Sequence, residues 1–230
     1  MTIRQTLLGS NVNDIKAHNM RAVLLALLRY EPVSRVRLAE LTGLSSTTIT
    51  NLISELLEHG IVAEEDVEKI KRRRKVGRPP SALRLVPEAG YAVGIHVGVG
   101  SVRVGVADLR ARILSCLTLA HPVEKSSEEV LTETVALVGD VISASGVNPQ
   151  HVVGIGVGAS GLVNPRTGVN VFAPNLGWRD VPIRDWFTER LGMPVCVDNN
   201  VRAMALGEAL FGAGQDARAL AFVYARIGVG

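Results

Sequence analysis

The sequence of 230 residues contains few cysteines, few aromatic residues and no long apolar run. Two cysteines, Cys116 and Cys196, cannot form the disulfide framework of a small secreted protein. No apolar stretch approaches the roughly 18 residues that a membrane-spanning helix needs. The first residues also lack the apolar segment and small-residue cleavage site of a secretory signal. We therefore expect a cytoplasmic protein with no membrane partner.

Cofactor and metal motifs are also missing. The five histidines share no ligand spacing with one another or with a cysteine. The pattern Gly98-x-Gly100 lacks a third glycine and a following helix. The pattern Gly154-x-Gly156-x-Gly158 has the wrong spacing for a dinucleotide site. We expect no bound cofactor and no metal.

The composition indicates a folded protein with two dissimilar parts. Hydrophobic residues make up 47% and charged residues 20% of the chain, which excludes disorder of the whole. Residues 1–90 hold 14 basic and 10 acidic side chains with 5 glycines, whereas 91–230 hold 11 and 12 with 18 glycines. Prolines between Pro79 and Pro87 mark the boundary. The sequence predicts a basic helical part followed by an α/β part.

Three helices are predicted in the basic part. Apolar residues at helical spacing indicate a helix over about 15–29, which Pro32 ends. A short helix over 34–42 begins at Ser34 as N-cap, and a third begins at Ser45 or Ser46 and ends at Gly60. The third helix should bury Ile49, Leu52, Ile53, Leu56 and Leu57.

The second and third helices resemble a helix-turn-helix. A small residue, Ala39, lies where the helices would cross, Gly43 suits a sharp turn, and the branched Ile49 would fix the second helix on the first. A plain helical hairpin would show a similar pattern and remains an alternative. The residues after the third helix favour DNA binding, because segments 61–63 and 82–86 read as two strands of a wing.

The tip of this expected wing is strongly basic. Between positions 69 and 78, seven of ten residues are basic, and Gly77-Arg78-Pro79 suits a narrow minor groove. The alternative is a solvated loop neutralised by the nearby acidic residues Glu64, Glu65, Asp66 and Glu68. We expect double-stranded DNA as the partner. The predicted base-reading residues are Ser45, Ser46, Thr47, Thr48 and Asn51, and the predicted phosphate-binding residues are Lys71, Arg72, Arg73, Arg74, Lys75 and Arg78.

The second part reads as a mixed sheet surrounded by helices. A hairpin is predicted over 91–109, and further strands over 113–119, 152–159, 195–197 and 220–224. Helices are predicted over about 126–144, 182–191 and 200–211, the first with a capping box of Ser126 and Glu129.

Two polar segments of this part are candidates for a ligand site. The loop 173–178 is polar and aromatic, and Asp198, Asn199 and Asn200 follow a buried strand. Such a cluster at the carboxyl end of a strand is well placed to bind a polyol. The alternative, an N-cap with an Asx turn, is expected to occupy one or two of these residues and not all three.

The α/β part resembles the ROK family, which comprises sugar kinases of the actin-like ATPase fold and repressors that join a winged helix to that fold. The resemblance rests on five collinear segments: GIHVGVGSVRVGVADL, GIGVGASGLVNPRTG, APNLGWRDVPI, LGMPVCVDNNVRAMALGEALFG and ARIGVG. It implies an α/β protein in which a winged helix-turn-helix (1–86) precedes an incomplete actin-like, ribonuclease H-like domain. That domain would comprise a first lobe (87–195) and the start of a second (196–230).

The departures from the family pattern argue against catalysis. His96 stands where the kinases carry an aspartate that handles metal and phosphate, and the Gly-Thr pair reads Gly100-Ser101. Asn200 stands at the position of the general base, and an amide cannot accept the hydroxyl proton. The resemblance therefore implies no catalytic residue. It leaves sugar binding by Asn175, Asn199 and Asn200.

These observations predict a sugar-responsive transcriptional regulator, most simply a repressor, that binds its operator as a homo-oligomer. The chain stops at Gly230, where the family's second phosphate-binding loop begins, so we expect a C-terminally truncated domain with a half-built sugar site. Two alternatives remain open. One is an ATP-dependent sugar kinase, and the other is a DNA-binding module that has lost effector sensing.

Overall fold

The computed structural model describes residues 12–65, 82–215 and 217–225. The chain divides into two compact units, Met1–Val86 and Pro87–Gly230. The expected further boundary between residues 195 and 196 stays a prediction.

The first unit consists of three helices followed by a two-stranded sheet. The elements are α1 (Val12–Tyr30), α2 (Arg35–Thr42), α3 (Ser46–Glu58), β1 (Val62–Glu65) and β2 (Ala82–Leu85). Strands β1 and β2 pair antiparallel, with Val62 opposite Leu85. Val33 adds a third, bridging segment, because it exchanges two backbone hydrogen bonds with Leu83. This order of elements is that of a winged helix.

The predicted limits of α2 and the predicted start of α3 are confirmed, whereas α3 ends at Glu58 with His59, and not Gly60, as its C-cap. Ser34 caps α2 by accepting from the backbone N–H of Arg37, and Gly43 ends it with φ +71°, in the left-handed region that favours glycine. Ser45, and not Ser46, caps α3. The side chain of Ile49 is fully buried, as the helix-turn-helix pattern requires, whereas Leu57 is only half-buried.

The second unit is α/β. Its strands are β3 (Tyr91–Gly98), β4 (Ser101–Asp108), β5 (Ile113–Ala120), β6 (Val152–Ala159), β7 (Leu162–Asn164), β8 (Val169–Ala173), β9 (Trp178–Val181) and β10 (Val195–Asn199). Its α-helices are α4 (Ser127–Ser145), α5 (Ile183–Leu191) and α6 (Asn200–Phe211).

The main sheet has the strand order β10-β6-β3-β4-β5. Strands β10, β6 and β3 run parallel, whereas β4 is antiparallel to β3 and β5. One face of the sheet is rich in buried valines such as Val102, Val104 and Val106, and α4 packs against β4 and β5. These valines form part of the hydrophobic core of the unit, whose burial favours folding.

The other face of the sheet is nearly bare of side chains at its centre. One cross-strand row contains Gly156 of β6, Gly94 of β3 and Gly105 of β4. The free cysteines Cys196 and Cys116 end this row, and both are exposed. A Cβ atom added at Gly94 or Gly156 would have no neighbour within 4 Å.

A second, three-stranded antiparallel sheet of order β7-β8-β9 was not predicted. Asn164 forms the turn between β7 and β8, since its Oδ1 accepts from the backbone N–H groups of Arg166 and Thr167. Arg184 of α5 holds the same turn through the carbonyl oxygens of Pro165 and Arg166.

The strand predicted over 220–224 is wrong. These residues lie in no strand, because a strand requires a hydrogen-bonded neighbour and the described residues supply none there. Leu220 and Val223 are accordingly exposed, as are Leu206 and Phe211 of α6. Within the described ranges, no helix combines the length and apolar character that crossing a membrane demands.

Candidate DNA-reading helix and sugar site

The exposed face of α3 carries a row of short polar side chains. Ile49 and Ile53 point into the core of the unit and are fully buried. The opposite face is exposed and consists of Ser46, Thr47, Thr50, Asn51 and Ser54. Four of the five predicted base-reading residues are therefore exposed, since Ser45 is exposed as well.

The structure separates the predicted readers into two groups. The hydroxyl of Ser45 accepts from the backbone N–H of Thr48 at 3.1 Å and lies 2.9 Å from the Thr48 hydroxyl. Both side chains thus stabilise the start of α3. Among the described residues, the side chains of Thr47 and Asn51 are exposed and have no hydrogen-bond partner.

Two of the acidic residues near the tip, Glu64 and Glu65, lie in strand β1 and form ion pairs with arginines. Glu64 pairs with Arg35 of α2 at 2.5 Å, and Glu65 pairs with Arg84 of β2 at 2.7 Å. Both carboxylates therefore already have a cationic partner on a described element. The predicted phosphate-binding residues, Lys71, Arg72, Arg73, Arg74, Lys75 and Arg78, lie outside the described residues.

A polar network lies at the carboxyl ends of the parallel strands β3, β6 and β10, where open α/β sheets bind ligands. Asn200, the first residue of α6, is 6% exposed. Its Nδ2 donates to the Ser160 hydroxyl at 3.1 Å and lies 3.4 Å from Nε2 of His96. Its Oδ1 accepts from the backbone N–H of Val201. Two of the positions that depart from the kinase pattern, His96 and Asn200, therefore lie next to each other.

Asn199 holds two elements together. Its Oδ1 caps α6 by accepting from the backbone N–H groups of Val201 and Arg202, and its Nδ2 donates to the carbonyl oxygen of Gly161 at 2.8 Å. Asp198 accepts from the backbone N–H of Asn199 and forms an ion pair with Arg202. The N-cap and its Asx turn thus involve Asn199, which agrees with the expectation that capping would occupy one or two of the three residues. Asp198 and Asn200 form other hydrogen bonds.

Sequence reasoning missed Ser160 and Asn170. Asn170 is fully buried on β8 and donates through Nδ2 to the carbonyl oxygen of Ser160. Its Oδ1 is buried without a partner among the described residues. An asparagine among the apolar residues of 169–173 is the signal that could have identified it.

Asn175 lies apart from this network. It is exposed in the 3₁₀ turn Pro174–Leu176, and it lines a groove of about 570 Å³ together with Lys125, Ser126 and Trp178. Among the described residues it hydrogen-bonds to none of the network. Its role in sugar binding stays a prediction, as does that of Asn199.

Ser126, which lines the groove, belongs to the capping box of α4. The carboxylate of Glu129 accepts from the hydroxyl and the backbone N–H of Ser126 at 2.6 and 3.0 Å. These two hydrogen bonds hold the pKa of Glu129 below its usual value, and the bond from the Ser126 side chain has the larger effect. The predicted capping box is confirmed.

Known proteins resemble this chain over nearly all or over part of its length. A "Putative xylose repressor" of Caldicellulosiruptor sp. (strain Rt8B.4) is 32% identical over 216 residues, which are 94% of this chain and 53% of that protein. A "Glucokinase" of Streptomyces coelicolor is 33% identical over 142 residues, 61% of this chain and 42% of the enzyme. The chain thus spans about half the length of the curated relatives that it matches.

A solved structure shares the fold. The crystal structure of a ROK family transcriptional regulator, described as a homolog of the E. coli MLC protein, superposes with a TM-score of 0.69 at 24% identity. The match covers 88% of this chain and 50% of that one. The expected fold class is confirmed: helices at the N-terminus precede part of a mixed α/β, sugar-kinase-like domain. Residues 92–230 match the sequence profile of the ROK family, and the chain belongs to that family.

Proposed function

We propose that this protein is a sequence-specific DNA-binding regulator of sugar metabolism, most simply a cytoplasmic repressor, which responds to a sugar. The observation that carries the proposal is the exposed polar face of α3, the second helix of the helix-turn-helix, on which Thr47 and Asn51 have no hydrogen-bond partner among the described residues. This helix would enter the major groove and read base edges. The xylose repressors among its relatives support the same assignment.

The wing would supply affinity without sequence information. Seven basic residues between positions 69 and 78 provide more positive charge than Asp66 and Glu68 can neutralise once Glu64 and Glu65 pair with Arg35 and Arg84. Contacts of this kind release counterions, so they make binding dependent on salt.

Binding as a homodimer to a palindromic operator would accord with the two-fold geometry of helix-turn-helix proteins. A sugar bound beside Asn200 would then shift the protein toward a conformation whose two recognition helices no longer match the half-site spacing. The regulated step is thus a change in the relative population of two conformations.

The test of the proposal is fluorescence anisotropy with duplex DNA from upstream of the protein's own gene and an unrelated duplex as control, across a salt series. Tighter binding to the upstream DNA is expected. Equal affinity for both duplexes, with a steep dependence on salt concentration, would indicate non-specific DNA binding only. No binding by a chain that circular dichroism shows to be folded would contradict the proposal.

A second candidate function is ATP-dependent sugar phosphorylation, which the identity of 33% to a glucokinase favours. Against it, the amide of Asn200 cannot serve as a general base, and its Nδ2 donates to Ser160. We expect no sugar-dependent ATP turnover. Measurable turnover by the purified chain would replace the regulator with the enzyme.

A further inference from the structure

Strand β5 forms one edge of the main sheet and is exposed along its length. It pairs with β4 on one side, and no strand within the described ranges pairs with its other side. The side chain of Ile113 is 68% exposed, and Leu114 and Leu117 are exposed as well. Ile113–Ala120 contains no charged residue and no proline. The strand therefore lacks the lysines and prolines that commonly protect an exposed edge from pairing.

The backbone groups that point to the free edge follow from the register with β4. Ser101 lies opposite Ala120, and the backbone N–H of His121 donates to the carbonyl oxygen of Gly100 at 3.0 Å. Ser101 and Ala120 are therefore a pair without mutual hydrogen bonds, and Ala120 directs its N–H and C=O away from β4. The same orientation recurs at every second residue back to Cys116. These residues offer backbone donors and acceptors to a further strand.

The free edge of β5 is complementary to itself. When two copies pair antiparallel about a twofold axis at Thr118, Cys116 of each copy lies opposite Ala120 of the other. Each residue that points to the free edge then exchanges backbone hydrogen bonds with the other copy. On the opposite face of the strand, Leu117 lies opposite Leu119 of the other copy, so that apolar side chains meet.

Antiparallel pairing also suits the charges at the two ends of β5. The exposed Arg112 precedes the strand, and the exposed Glu124 follows it. In the antiparallel arrangement, Arg112 of one copy lies at the same end as Glu124 of the other. Parallel pairing would instead bring the two Arg112 side chains together. Complementary charges at the rim of an interface favour association and fix its orientation.

We propose that β5 is a dimerisation strand, which pairs antiparallel with β5 of a second copy of this chain and joins the two main sheets into one. The inference rests on the proposed function for its role, since it names the surface that forms the homodimer. Pairing of β5 with β5 closes the assembly at two copies, because the same edge is used by both.

The other edge strand of the sheet, β10, is less suited to this role. It has five residues and includes Asp198. At its end, Asn199 already donates through Nδ2 to the carbonyl oxygen of Gly161. A short edge that carries a charge and is bound to another segment is protected from strand pairing.

The first experiment is sedimentation equilibrium of the full 230-residue chain over a concentration series without DNA. One pair of strands is a small interface, so we expect a reversible dimer with a Kd of about 1–100 μM. Thr118→Lys changes an exposed residue and places two like charges opposite each other, so it should raise the Kd about tenfold or more. Thr132→Lys, at an exposed position of α4, is the matched control and should leave the Kd unchanged.

Disulfide cross-linking tests the register. In a background without the native cysteines (Cys116→Ser and Cys196→Ser), Thr118→Cys places two thiols on the twofold axis with their Cα atoms about 5.5 Å apart. This separation is within the range of a disulfide, so mild oxidation should give covalent dimers. The control retains Cys116 and carries only Cys196→Ser. Its two thiols would lie about 13 Å apart along the paired strands and should cross-link far less.

Three results would overturn the inference. These are a chain that stays monomeric up to about 1 mM, a dimer whose Kd is unchanged by Thr118→Lys, and cross-linking at Cys116 as efficient as in Thr118→Cys. None of these measurements contains DNA, so they are separable from the anisotropy test of the regulator. A β5 dimer that binds no DNA removes only the regulator, whereas specific DNA binding without a β5 dimer removes only this inference.

Discussion

The two units of this chain present their polar side chains in opposite ways. On α3, Thr47 and Asn51 point to solvent and have no partner among the described residues. At the carboxyl edge of the main sheet, Asp198, Asn199 and Asn200 all hydrogen-bond within the protein. Under the proposed function, a DNA base would bind α3 without displacing a hydrogen bond of the described residues. A sugar would have to replace existing hydrogen bonds with its hydroxyls, which would lower its net binding free energy and make binding more selective.

The largest difference between the two units is expected when a cavity is made in the core of the first unit. Ile49→Ala removes a fully buried side chain beneath α3 and should destabilise this unit by about 2–5 kcal/mol. Thermal unfolding and anisotropy should show loss of the first unit and of DNA binding. The matched control is Ile183→Ala, which makes a similar cavity in the α/β unit. If both variants lost DNA binding equally, the functional division between the units would be refuted.

Next in size is the effect of the wing arginines. Replacing Arg72, Arg73 and Arg74 with alanine should weaken binding to every duplex and reduce the slope of log K against log salt by about 0.9 for each lost phosphate contact. A triple variant at the exposed Arg112, Arg179 and Arg190 removes the same charge from the other unit. An identical slope change in the two triple variants would mean that net charge alone acts.

A smaller and more selective effect is expected at Asn51. Asn51→Ala should cost about 1–3 kcal/mol on the preferred operator and relax the base preference at one position. Ser54→Ala, on the same exposed face one turn further from the start of α3, serves as control. Measurement across a set of single-base operator variants decides the point, and uniform weakening would argue against a base contact.

In the α/β unit, Asn199 should matter for stability more than Asn175. Asn199→Ala removes the N-cap of α6 and the bond to the Gly161 carbonyl, at a cost of about 1–2 kcal/mol. Asn175→Ala removes an exposed side chain that bonds to no described residue, so it should change stability by less than about 0.5 kcal/mol. Urea unfolding measures both, and equal costs would contradict the assignment of Asn199 as the cap.

The smallest effect is expected in the free energy of unfolding at acidic pH. Because the folded-state pKa of Glu129 is lowered, its hydrogen bonds to Ser126 stabilise the fold fully above the usual value of 4.5 and less as pH falls through the folded pKa. The stability difference between wild type and Glu129→Gln should therefore be constant near neutral pH and shrink below pH 4.5. Glu128→Gln removes a charge from the same turn and should not reproduce this pattern.

Features with a strict local requirement were predictable from the sequence. Gly43 adopts a left-handed backbone conformation that few other residue types tolerate. The capping interactions of Ser45 and Ser126 depend on residues three positions further along the chain. The alternation of valine and glycine over 91–109 likewise defined a hairpin before its partners were known. Each of these signals lies within a few residues of the chain, so tertiary context had little to change.

Features that depend on distant partners were not predictable. The strands β7 to β9 are 3–5 residues long and too short to show a periodic pattern. The turn residues of 164–168 are the one local signal for the hairpin of β7 and β8. Residues 220–224 have a strand-like composition but no neighbour to pair with among the described residues. The contact between His96 and Asn200 spans 104 positions, and no local rule predicts it.

The glycine row of the main sheet has a practical consequence. Cys196 and Cys116 stand at its two ends, four strand spacings of about 4.8 Å apart, or roughly 19 Å. Both thiols are exposed and free, and they are the sole cysteines of the sequence. Nitroxide spin labels on these two thiols of the wild-type protein therefore report the distance across the sheet. A ligand that twists or spreads the strands would change this interspin distance.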